Sequence, residues 1–238
     1  MTNISYKRTK QVWKGYDDFL VSLIEKYSSK RICDIGGGAN PILSLEYINN
    51  KELAYSILDI SESELAKAPD EYNKITQDIC TPTLPIDKEY DFIFSKMLAE
   101  HVEDGEQFHK NIHKLLCNGG IAVHFFPTLY TVPFLVNSLL PEKLTYSLLE
   151  FIMPNRDLFQ RAKFPAYYRW CRGPLKKQIF KFNKIGFDVI DYIGLFGHGY
   201  YDRIKIARLF HNLKTNFLLK HPLPLFTNFA MVVLSKRQ

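Results

Sequence analysis

The chain has 238 residues, 46% hydrophobic and 24% charged, which reads as an ordinary soluble protein large enough for one α/β domain with a sizeable core. Its four cysteines (Cys33, Cys80, Cys117 and Cys171) stand far apart with no C-x-x-C pair. They therefore argue against a zinc site or disulfide framework and for a reducing, cytoplasmic setting. The net charge of +6 divides unevenly: residues 1–127 carry 14 Lys and Arg against 19 Asp and Glu (−5), whereas 128–238 carry 17 against 6 (+11), so the second half either faces something anionic or is a solvated basic surface.

Residues 1–29 read as an N-terminal helical cover. "MTNISYKRTKQVW" has no apolar signal core, and Val12, Tyr16, Phe19, Leu20, Leu23, Ile24 and Tyr27 then recur at helical spacing. "RICDIG" is a buried first strand, "PILSLEYIN" a short helix and "LAYSILDI" (53–60) a second strand. "SESELAKA" opens on a capping serine, and "KITQDI" (74–79) and "YDFIFSKM" (90–97) are strands three and four. "DGEQFHKNIHKLLCNGG" is a helix whose stop signal is Asn118-Gly119-Gly120, and "IAVHFF" is strand five. The run from Phe125 to Leu140 is apolar but too short to span a bilayer and holds Pro127 and Pro133. Residues 128–172 break the alternation and read as a helical insertion or lid, rich in aromatic and basic residues. Then come the helix "GPLKKQIFKFNKIG", strand six "FDVIDYIG", the helix "DRIKIARLFHNLKTNFLLK" and a last strand "FTNFAMVVLSKR". The expectation is one domain over 1–238: α/β, a doubly wound seven-stranded mostly parallel sheet.

Ligands of such sheets bind beyond the carboxyl ends of the strands. "DIGGG" stands at the end of the first strand, where glycine permits a sharp turn and lets a ligand approach bare backbone. A phosphate loop needs a lysine that is missing, and the dinucleotide fingerprint fits only in part, because Pro41 takes the third glycine position. Asp34-Ile35-Gly36-Gly37-Gly38 resembles motif I of class I S-adenosylmethionine-dependent methyltransferases of the type 11 kind. Four further features agree with that resemblance: Asp59 ending strand two, Asp78-Ile79 ending strand three, "YDFIFSKMLAEHVED" after strand four, and "LLCNGGIAVHF" leading into strand five.

The resemblance implies a Rossmann-like methyltransferase fold with S-adenosyl-L-methionine as cofactor. It implies Asp34, Gly36, Gly37 and Gly38 at the amino-acid end, Asp59 and Ile60 at the ribose, Asp78 and Ile79 at the adenine, and Ser95, Lys96 and Met97 beneath the methionine end. An acid suits the cationic cofactor, and a carboxylate can accept from both hydroxyls of a ribose diol. A metal cluster of the Glu-x-x-Glu-His kind would need an acid where Met97 stands, so no metal is expected.

For catalysis two places stand out. His101 follows strand four and is either a general base near neutral pH or a residue that positions the cofactor or caps the next helix. "GLFGHGYYDR" follows strand six and holds His198 and Tyr200, as a base and its neighbour, or else as a glycine-rich turn with packing tyrosines. His124 reads as a core histidine. Arg169, Arg172 and Tyr201 are expected at the acceptor, alongside Arg156, Arg161, Tyr167, Tyr168 and Trp170 as charged or stacking faces or as lid core.

The expected activity is methyl transfer to a small-molecule or glycan-type acceptor, anionic in one reading, at oxygen. The tail from Tyr200 is similar to that of methyltransferases of bacterial surface polysaccharide synthesis. The alternatives are an RNA methyltransferase, which the absence of an N-P-P-[YF] tetrad after strand four disfavours, and a silent scaffold of the same fold. Peripheral membrane contact through Arg203–Lys220 is a third reading, set against the usual case in which the apolar positions face the core. The oligomeric state is left open.

Overall fold

The computed structural model describes residues 2–86, 89–129, 131 and 165–237. Strand β1 (Asn3–Arg8) leads into helices α1 (Thr9–Lys14) and α2 (Tyr16–Lys26), then β2 (Arg31–Ile35), α3 (Leu45–Asn50), β3 (Ala54–Asp59), α4 (Glu62–Leu65) and β4 (Asn73–Thr76). β5 (Tyr90–Lys96) follows, then a 3-10 turn (Ala99–His101), α5 (Gly105–Leu115) and β6 (Leu116–Pro127). Beyond residue 164 come α6 (Lys176–Ile185), β7 (Phe187–Phe196), α7 (Lys205–Lys220), a short turn at Pro224–Phe226 and β8 (Phe229–Lys236).

The strands form one sheet in the order β1-β7-β8-β6-β5-β2-β3-β4, with β8 antiparallel to both neighbours and every other pairing parallel. This is the doubly wound, mostly parallel sheet expected, with eight strands rather than seven. Four consecutive residues of β2 (Ile32 to Ile35) are buried, as are Phe92, Ile93 and Phe94 of β5 and Ile121 to Phe126 of β6. Continuous burial requires cover on both faces, which the parallel crossovers provide. Asp91 ties β2 to β5 at their amino ends: one carboxylate oxygen accepts the Arg31 amide at 2.8 Å, and the other meets the Arg31 guanidinium at 2.6 Å.

Two sequence expectations need correction. Residues 1–29 are not wholly helical: Asn3–Arg8 forms an edge strand, parallel to β7. Tyr6 stacks on Phe196 at 5.6 Å, and a Cβ on Gly194 would lie 2.7 Å from the Tyr6 ring, so that glycine makes room for it. Asn118-Gly119-Gly120 does not stop α5, which ends at Leu115; it forms a bulge in β6, where pairing with β5 jumps from Tyr90–Leu116 to Phe92–Ile121. Gly119 takes φ +77° there. Most of 128–172, with Arg156 and Arg161, lies outside the described residues.

Candidate active site

Asp34 pairs with Ile57 across β2 and β3, and Asp59 with Thr76 across β3 and β4. The carboxylates thus occur near the carboxyl ends of adjacent strands, with the loop Gly36–Gly38 folded against both. A Cβ built on Gly37 would lie 2.8 Å from the Asp34 carboxylate, and one on Gly38 would lie 3.0 Å from Asp59 Oδ2. Gly36 and Gly38 take φ +78° and +42°, a region that favours glycine.

Asp34 is 2% exposed; its Oδ2 accepts the Tyr55 hydroxyl at 2.6 Å and the Ile42 amide at 3.3 Å. Burial pushes its carboxyl up to about 6, and the Asp59 charge adds to the rise while Lys96 offsets part of it. Burial raises Asp59 as well, although Oδ1 accepts the Ser61 amide at 2.9 Å. Among the described residues neither carboxylate makes an ion pair. Two poorly compensated carboxylates beside bare backbone form a site whose electrostatics favour a cationic ligand. Ile60 is 63% exposed, an open apolar face beside Asp59.

The other expected cofactor residues divide. Asp78 lies two residues past β4, exposed, its Oδ1 accepting the Cys80 amide at 2.8 Å; Ile79 beside it is buried. Ser95 is wholly buried and shares a hydrogen bond of 2.8 Å with His124 Nδ1, so its hydroxyl is committed inside the sheet. Lys96 turns toward the amino-terminal helices, 4.9 Å over the Tyr16 ring and 3.4 Å from Asp17. Met97 adopts φ +57°, left-handed backbone at the tip of β5, and Leu98 after it packs against Gly36.

His101 stands in the turn after β5. Its Nδ1 is 2.8 Å from the Pro165 carbonyl, which can only accept, so Nδ1 carries the proton and Nε2 the lone pair of the neutral ring. Nε2 lies 3.7 Å from Glu100 Oε1. Glu100 is 3% exposed, burial pushes its carboxyl up to about 8, and its Oε2 has no hydrogen-bond partner among the described residues. The Glu100 carbonyl accepts the amides of Tyr167 and Tyr168, which brings the returning chain onto this turn. The Glu100-His101-Val102 motif signals the pair by position, but nothing in the sequence marks Glu100 as a buried acid.

The β7 loop is built differently. β7 is parallel to β6, so His198 and Tyr200 open on the same end of the sheet, yet β7 and β2 are separated by four strand steps, roughly 19 Å. Burial, with His211 and Lys214, pushes the His198 imidazole down to about 3. Its Nδ1 accepts the Tyr200 amide at 3.3 Å, and its ring lies 4.0 Å from that of His211. His198, Tyr201, Phe210, His211, Lys214 and Asn228 line much of a cavity of about 430 Å³. Arg172 donates to the Tyr168 and Cys171 carbonyls at 2.6 and 2.9 Å, while Arg169 is exposed. Among the described residues no group of three or more His, Cys, Asp or Glu could hold a metal ion.

Residues 33–124 match a family model described as a methyltransferase domain. Several solved structures share the fold. An S-adenosylmethionine-dependent methyltransferase from Clostridium acetobutylicum superposes with a TM-score of 0.56 at 12% identity, over 94% of this chain and 92% of its own. One from Archaeoglobus fulgidus gives 0.51 at 16%, over 96% and 100%. Phosphoethanolamine N-methyltransferase 2 of Haemonchus contortus, solved with S-adenosyl-L-methionine, gives 0.52 at 16%, over 93% of this chain and 53% of its own. No curated protein matches the chain in sequence.

Proposed function

We propose that this chain, a class I methyltransferase by fold with its methyltransferase domain over residues 33–124, uses S-adenosyl-L-methionine to methylate a hydroxyl of a small-molecule or glycan acceptor. The observation that carries the reading is the pair of carboxylates Asp34 and Asp59, without ion-pair partners among the described residues, closed around the bare Gly36–Gly38 loop. The bound donor supplies an activated methyl on a sulfonium that leaves readily. The residues of the chain therefore have to bind, align, exclude water and manage one proton.

Asp34 and the glycine loop receive the cationic amino-acid end, and Asp59 accepts from the ribose diol. Ile60 offers the base an apolar face, with Asp78 and Ile79 at its rim. Lys96 and Met97 shape the floor through the backbone turn after β5. His101 takes the role of general base: Nε2 has the lone pair, and the proton it accepts from the hydroxyl comes to rest beside Glu100. The imidazolium then favours ionisation of that buried acid, whose own proton leaves to solvent, and the two end as an ion pair without net charge. His198, held down to about 3, is a weak base at neutral pH, and with Tyr200 and Tyr201 it forms an edge for the acceptor. Arg169 is the exposed cation for an anionic group on that acceptor; the Arg172 fork is engaged with carbonyls.

The test is transfer of label from methyl-labelled donor into sugar, amine and RNA fractions. Label in sugar-containing product that a cation exchanger does not retain is expected. Label confined to cation-retained amines or to RNA would contradict the acceptor class. With the acceptor in hand, His101→Gln should lower kcat by about 10²–10⁴-fold and leave donor affinity unchanged. A kcat within about twofold of the unmodified enzyme would remove His101 as the base.

A further inference from the structure

We propose that α7 docks the protein onto an anionic lipid bilayer surface, with its apolar face in the headgroup region. The helix meets the rest of the chain through Thr215 and Leu218, which are buried, and Ala207, His211 and Leu219, which are half-buried. On the opposite side stand Ile206, Leu209, Phe210, Leu213 and Phe217, between 56% and 71% exposed. Their spacing of i, i+3, i+4, i+7 and i+11 makes one stripe. A surface helix ordinarily turns such a stripe inward, and an apolar patch of this size on a soluble protein marks an interaction site. Leu223, Leu225 and Phe226, each 42–48% exposed, carry the patch past the helix end.

Charge decides the occupant. From Arg203 to the end of the chain there is no Asp or Glu, and Arg203, Lys205, Arg208, Lys214 and Lys220 lie on or beside the helix. At 100° per residue Lys205 and Lys214 fall on opposite flanks of the stripe. The Lys214 ammonium sits 5.5 Å over the Phe226 ring, its stem alongside apolar surface and its charge at the rim. An identical patch on a second copy would bring these cations together, whereas anionic headgroups neutralise them while the stripe is buried.

Position adds a consequence. α7 starts just beyond the carboxyl end of β7 and leads to Phe229, which pairs with Pro127 at the carboxyl end of β6. Arg8, at the carboxyl end of β1, donates to Asn216 on the helix. The helix therefore lies at the sheet end that also carries Asp34 and Asp59, and docking presents that end to the membrane. This consequence, a lipid-borne or membrane-adjacent acceptor, rests on the methyltransferase reading; the docking does not.

The experiment is flotation of the full chain with vesicles of phosphatidylcholine alone or with about 30% phosphatidylglycerol. The expected result is binding to the anionic vesicles that salt near 0.5 M reverses and that Leu209→Gln/Phe210→Gln weakens by about tenfold or more. Both side chains are exposed, so the variant should keep its thermal midpoint and its donor affinity. Absence of binding to anionic vesicles, equal binding to phosphatidylcholine alone, or an unaffected variant would overturn the proposal. A concentration-dependent dimer abolished by the same variant, without vesicle binding, would assign the face to a second copy instead. Calorimetry with S-adenosylmethionine needs no vesicles, so failure of docking and failure of the methyltransferase reading are read separately.

Discussion

Glu100→Gln will flatten the pH dependence of folding stability between about pH 4.5 and 8. In the folded chain the Glu100 carboxyl is raised from 4.5 to about 8, because burial disfavours its charged form more than its own backbone amide favours it. The unfolded chain releases this proton near its ordinary value, while the folded chain holds it. The unfolded state therefore binds fewer protons across the window, and stability falls as pH rises. The full difference is present below the unfolded value and is lost once pH passes the folded one. Its size is on the order of 3–5 kcal/mol. Glutamine keeps the shape and has no proton to lose. Urea unfolding should find the two proteins alike near pH 5 and the variant more stable by about 3 kcal/mol near pH 9. Parallel curves would show that Glu100 is not a buried neutral acid. Asp34, raised to about 6, contributes in the same direction over a lower window in both proteins, so the comparison isolates Glu100.

Gly37→Ala will weaken donor binding by about tenfold to a hundredfold. The added methyl would stand 2.8 Å from the Asp34 carboxylate and 3.0 Å from Ile57 Cγ2. Neither is the free end of a flexible chain: Tyr55 and Ile42 hold the carboxylate, and Ile57 is fully buried in β3. The loop must move instead, and in the proposed reading it is the wall of the donor site. Overpacking of this kind costs about 1–3 kcal/mol, which is the source of the expected range. Gly15→Ala is the control, because its methyl meets only the Gln11 carbonyl at an ordinary 3.6 Å. Calorimetric titration with S-adenosylmethionine reads both. Equal affinities for the two variants would separate the glycine loop from the donor.

Features written in local chemistry were legible in the sequence. Ser44 and Ser61 cap α3 and α4 through side-chain oxygens, and Gly186 ends α6 at φ +115°. The continuous apolar runs of β2, β5 and β6 became the sheet centre, and D-x-G-x-G fell at the end of β2. Features decided by distant partners were not legible. "NISYKR" is a strand only because β7, more than 180 residues later, offers it an edge. Asn-Gly-Gly has the composition of a helix stop, but pairing with β5 draws it into β6 as a bulge. The apolar positions of α7 were readable and their direction was not, since that depends on how Thr215 and Leu218 meet the sheet edge. Glu100 is likewise an ordinary acid in the sequence and a buried one only once Tyr167 and Tyr168 return to its carbonyl.

Titration of the unmodified protein with S-adenosylmethionine, beside Asp34→Asn/Asp59→Asn, tests the donor site most directly. Saturable heat from a single site is expected, with affinity falling by about two orders of magnitude when both carboxylates become amides. An unmodified protein that gives no heat, or a double variant that binds as well as its parent, would contradict the assignment of this end of the sheet to the methyl donor.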